Sequence, residues 1–177
     1  KFWPWLENNY TQLRRLHVLG GEPLYQPQFE RCLEVLESHS NPELEFNIVT
    51  NLKVSESALI KFVERIKRLV IQKKIKRFDV TCSIDCFGDE QEYVRYGMNL
   101  DQWRKNFEYL VSQKWIKVNI NQVLSNLTIK TVPQLLEYIA PLRKNQKIGH
   151  YFSTPVRTHE FLHPGIFGTG FFDKDFE

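Results

Sequence analysis

Between Phe78 and Asp85 the sequence alternates without a break: Phe78, Val80, Cys82 and Ile84 form one set, Asp79, Thr81, Ser83 and Asp85 the other. A repeat of two residues places the sets on opposite faces of a β-strand. A strand covered by helices on both sides reads as apolar on both faces. This one therefore packs on helices through one face only. Its polar face must meet water or a cavity that holds something polar, because burying Asp79 and Asp85 without partners would cost several kcal/mol each. The pattern returns in a strand predicted over Lys114 to Leu124, where Val118 and Ile120 alternate with Asn119 and Asn121.

Helical stripes fill the spaces between the strands. Gln26 to Glu37 carries Phe29, Cys32, Leu33 and Leu36 at helical spacing, so Cys32 reads as a packed core thiol. Ser55 is placed to cap a helix bearing Leu59, Phe62, Val63, Ile66 and Val70. Asn99 is placed to cap another with Trp103, Phe107, Leu110 and Val111, and Thr131 to Gln134 has the form of a capping box ahead of Leu135, Leu136, Ile139 and Leu142. Further strands are predicted around His17, over Phe46 to Asn51 and over Ile148 to Phe152, and a helix end over Asn8 to Arg15. Beyond Ser153 the reading is loop. The order β-α-β-α-β-α-α-β-α-β implies parallel crossovers, and the expected fold is α/β, an incomplete parallel (β/α) barrel over residues 1–153 with a loop-rich extension over 154–177.

At the exit of the first strand, Leu16, Val18 and Leu19 run into Gly20-Gly21-Glu22-Pro23. The glycines permit a tight turn and a close approach of backbone to ligand, and Pro27 suits the first turn of the next helix. A carboxylate beside bare backbone at a strand's carboxyl end is where α/β sheets bind ligands. A plain strand-to-helix turn fits the same residues.

With 177 residues, 42% of them hydrophobic, the chain is long enough for one core. Its net charge of +3 mixes both signs, and the basic run Gln72 to Arg77 reads as a solvated connection, so no nucleic-acid partner is expected. No apolar run suits a bilayer and no signal-peptide pattern is read. Three cysteines outside any framework spacing predict a reducing, cytoplasmic setting.

Four motifs together resemble the radical S-adenosylmethionine (SAM) superfamily from its second barrel strand onward. Gly20-Gly21-Glu22-Pro23 is similar to the motif that holds the methionyl amino group. Val49-Thr50-Asn51 is similar to the end of the family's third strand, and Ser83-Ile84-Asp85 with Tyr93-Val94-Arg95 to the ribose and carboxylate contacts of the fourth. Val118 to Val123 is similar to a fifth strand whose asparagine, here Asn121, reaches the cofactor. The resemblance implies that Gly20, Gly21, Glu22, Thr50, Ser83, Asp85, Arg95 and Asn121 bind SAM. It also implies a parent enzyme that cleaves SAM reductively to start radical chemistry on a peptide or small metabolite. Residue by residue, the bland readings are strand-end polar groups for Ser83 and Asp85, a turn residue for Asn121 and an exposed charge for Arg95.

One departure is large. The family's four-iron, four-sulfur cluster needs Cys-x-x-x-Cys-x-x-Cys after the first strand, a segment that would precede Lys1. Cys82 and Cys86 copy half of that spacing on the wrong strand, and position 89 is Asp. The segment alone is therefore expected to be inactive, and a SAM- or partner-binding module without redox chemistry is the alternative. A phosphosugar barrel would rely on Gly165 to Gly170, its only glycine-rich candidate. His150, His159 and His163 lack companions at zinc spacing. An incomplete barrel leaves an open strand edge, so weak self-association is expected.

Overall fold

The structure is a computed structural model and describes residues 1–145 and 147–176. Five strands form one all-parallel sheet: β1 (Arg15–Val18), β2 (Glu45–Thr50), β3 (Arg77–Ser83), β4 (Lys117–Leu124) and β5 (Tyr151–Pro155). They lie side by side in chain order, and the sheet is open, with β1 and β5 at its edges. Among the described residues six α-helices accompany them: α1 (Phe2–Asn9), α2 (Pro27–Ser38), α3 (Glu56–Ile71), α4 (Asp89–Val94), α5 (Leu100–Ser112) and α6 (Val132–Lys144).

Side-chain alternation sorts the sheet as the sequence predicts. Phe46, Ile48, Phe78, Val80, Cys82, Val118 and Ile120 share one face and join the helix stripes in a single core. Phe46 packs on Phe29 of α2 and Phe78 on Phe62 of α3. The other face carries Arg15, His17, Asn47, Asp79, Thr81, Ser83, Asn119 and Asn121, brought into rows by the register His17–Asn47–Asp79–Lys117 and Ser83–Asn121–Phe152. Among the described residues, no hydrophobic side chain beyond Tyr151 packs on the core.

Local signals set most boundaries. Ser55 accepts from Ala58 N (3.3 Å) and Asn99 from Gln102 N (2.8 Å), capping α3 and α5, and Pro27 occupies the first turn of α2. The predicted capping box at Thr131 does not form. A 3-10 turn over Ile129–Thr131 already leads into α6, so Thr131 lacks the extended backbone of a cap, and its hydroxyl donates back to Thr128 O (3.3 Å). β4 begins at Lys117 rather than Lys114 because a turn closed by Ile116 N on Gln113 O (2.9 Å) precedes it. β5 is shifted from the predicted Ile148 to Phe152: it begins at Tyr151 and runs to Pro155, a residue that an edge strand tolerates. The extension forms short 3-10 turns at Glu160–Leu162, Pro164–Ile166 and Asp173–Asp175.

One buried amide ties the first helix to the sheet. Asn41 Nδ2 donates to Tyr10 O and Leu13 O (2.7 Å each), and its Oδ1 accepts from Glu43 N (3.1 Å). Replacing Asn41 with Ala leaves these groups unpaired, so urea unfolding should show a loss of about 1–3 kcal/mol.

Candidate functional site

Because all five strands are parallel, their carboxyl ends meet at one edge of the sheet, and the eight residues read from the sequence as SAM contacts lie there or in the adjoining turns. Gly20 and Gly21 have φ of 99° and 55°, conformations that a side chain disfavours, and a Cβ on Gly20 would meet nothing. They deliver Glu22 to the end of the neighbouring strand. There the carboxylate accepts from Thr50 Oγ1 (2.8 and 2.9 Å), Asn51 N (2.8 Å) and Leu24 N (3.3 Å). Burial pushes the Glu22 carboxyl above its ordinary range against the pull of these donors.

A second carboxylate performs the same task one strand further on. Asp85 takes a two-pronged ion pair from Arg95, Nε to Oδ2 at 2.7 Å and Nη2 to Oδ1 at 2.8 Å, and its Oδ1 also accepts from Val123 N (3.0 Å). Two glutamines that the sequence reading passed over fix the surrounding backbone. Gln91 Oε1 accepts from Asp85 N and Cys86 N (2.9 Å each). Gln122 Nε2 donates to Asp85 O (2.6 Å), while its Oε1 accepts from Tyr151 Oη and Ser153 Oγ. Gln122 was legible only as a polar residue in the apolar set of its strand.

Ser83 and Asn121 differ from these. They are register partners on the polar face, and among the described residues neither side chain has a hydrogen-bond partner in the protein. Asn119, one pleat earlier, is engaged: its Oδ1 accepts from His150 N (2.9 Å). A pocket of about 230 Å³ opens beside β2 and β3, lined by Asn51, Lys53, Arg95, Tyr96 and Met98. Of the eight predicted residues, only Arg95 lines it.

The cysteines do not fit an iron–sulfur cluster. Cys32 lies on α2, Cys82 on the core face of β3 and Cys86 in the following turn, all buried. Burial pushes the Cys32 and Cys86 thiols up to about 11 and Cys82 further still, away from the thiolate that a cluster requires. Among the described residues, no three His, Cys, Asp or Glu side chains gather to hold a metal ion, and no helix is long and apolar enough to cross a membrane. Compared with known proteins, the sequence matches no family model and no curated protein.

Deeper on the polar face, Asp79 is buried and its Oδ1 has no hydrogen bond, although Arg77 Nε approaches to 3.4 Å. Burial raises its carboxyl above the ordinary value, outweighing the pull of Arg77 and Lys117. A carboxyl whose folded value is raised stabilises the fold below the unfolded value, about 3.9 for Asp, and that contribution is lost as pH rises through the folded value. Asp79→Asn should therefore gain stability relative to the parent as pH goes from about 4 to 7. Chemical denaturation at the two pH values checks it, and a constant difference would show that Asp79 titrates normally.

Proposed function

We propose that this chain is an arc of a (β/α) barrel and that it binds SAM across the carboxyl ends of β1 to β4, as part of an enzyme acting on a peptide or small metabolite. The observation that carries this reading is the pair Ser83 and Asn121, adjacent, polar and free, on the helix-free side of the sheet. Strands in chain order with helices behind one face match the wall of such a barrel, where the other face lines the interior.

Each group has a task that suits its chemistry. The Ser83 hydroxyl donates to and accepts from ribose hydroxyls. The Asn121 carboxamide, with both a donor and an acceptor, reads the edge of adenine. The bare backbone at Gly20-Gly21 lets the methionyl end approach. The Glu22 carboxylate takes three hydrogens from Thr50, Asn51 and Leu24, which leaves one lone-pair site for an ammonium. Thr50, Asp85 and Arg95 act mainly through the frame, since their side chains bond to other residues at the strand ends. In the family resembled, SAM is cleaved reductively to begin radical chemistry. That cleavage takes an electron from an iron–sulfur cluster, which these three thiols do not fit, so no redox step is assigned to this chain.

The buried cysteines favour a second reading, a module that binds SAM without redox chemistry. Both readings require the same ligand site. Nuclear magnetic resonance titration of the isotopically labelled chain with SAM tests it. Amide shifts should saturate at Gly20, Gly21, Ser83 and Asn121, and Asn121→Ala should weaken binding about tenfold, or about 1.4 kcal/mol, with an unchanged circular dichroism spectrum. An absence of saturable shifts at millimolar SAM overturns the proposal.

A further inference from the structure

The loop after β2 is built around a residue in a costly conformation. Leu52 has φ of 54°, in the left-handed region, where a side chain costs about 1–2 kcal/mol. It is nevertheless fully buried and held from several directions. Its N–H donates to Thr50 Oγ1 (3.0 Å), and Asn106 Nδ2, from α5, donates to Leu52 O (3.0 Å) and Val54 O (2.8 Å). Asn51 Oδ1 accepts from Lys53 N (2.8 Å). Strain held this firmly beside a pocket is a pointer to function.

What the loop presents to that pocket is Lys53. The ammonium donates to Tyr96 O (3.3 Å) and rests over Gly97, where a Cβ would collide with it. Lys53 and Arg95 are the two charged residues lining the 230 Å³ pocket. They are not equivalent. Arg95 is neutralised by Asp85, whereas Lys53 has no salt bridge among the described residues. The Asn51 Nδ2 donor, also at the pocket, has no partner among them either.

We infer that Lys53, with Asn51, forms a carboxylate subsite, and that Arg95 serves it only as a strut. The carboxylate belongs either to the methionyl end of SAM, which rests on the reading above, or to a separate small acid bound beside it. A single uncompensated cation beside an amide donor suits a monoanion.

The test uses the full chain and its Lys53→Met and Lys53→Arg variants, titrated with SAM, with decarboxylated SAM and with sodium acetate. If the carboxylate is that of SAM, Lys53→Met should weaken SAM about tenfold, leave the decarboxylated analogue within about twofold, and be rescued by Lys53→Arg. If it belongs to another acid, SAM affinity should not change. Acetate should then shift the Asn51, Lys53 and Tyr96 amides in the parent and not in Lys53→Met. Equal weakening of SAM and its analogue, or no difference between parent and Lys53→Met with SAM or acetate, overturns the subsite. A parent that responds to acetate but not to SAM overturns the SAM reading alone.

Discussion

Five parallel strands that neighbour one another in chain order leave their crossovers no choice of side, because connections of one hand all return over the same face of the sheet. One face then has helices to pack on and the other has none. The core collects on the first, from Leu6 through Ile148. The second can carry Asn, Asp, Thr and Ser in registered rows, an arrangement that a doubly covered sheet would not tolerate. Parallel strands also bring their carboxyl ends to a common edge. A turn residue at 22, a strand end at 83 and its register partner at 121 thus come to one region although nearly a hundred positions separate the first from the last.

At that edge, polar groups divide by what they already hold. Glu22 fastens the exit of β1 to the exit of β2, and Asp85 fastens the exit of β3 to β4 and to the segment after α4. Both carboxylates take backbone N–H groups that no ladder partner would satisfy, which is why burial does not leave them unpaired. Among the described residues the Ser83 and Asn121 side chains hold nothing, and they sit side by side on the polar face, Ser83 buried there. A motif with two acidic residues and an arginine draws attention as a set of ligand contacts. In three dimensions the charged members mainly brace the rim, and the small neutral ones are left free.

The features legible in the sequence were those governed by near neighbours. The period of two at Phe78 to Asp85, the stripes of α2, α3 and α5, and the caps at Ser55 and Asn99 all follow from contacts within one element. Interactions across elements were not legible. Asn106 sits within an amphipathic helix, and nothing in its neighbours indicates that it bonds two carbonyls more than fifty positions earlier. Gln91 and Gln122 are similar, single amides whose partners come from adjacent turns and strands. Thr131 shows the opposite failure: the capping sequence is present, but the 3-10 turn before it removes the backbone geometry that the cap needs.

Leu52 shows how local cost and global gain are reconciled at the rim. Its left-handed backbone costs about 1–2 kcal/mol, while fully burying a leucine side chain is worth about 1.5–3 kcal/mol, so packing alone can hold the conformation. The bonds from Thr50 and Asn106 satisfy its backbone polar groups in that shape. Glycine would remove the strain and the anchor together. The residue after Leu52 therefore leaves the loop in a direction fixed by the core, not by solvent. The backbone at Lys53 is thereby ordered by the core, while its exposed side chain keeps a single hydrogen bond among the described residues, to Tyr96 O.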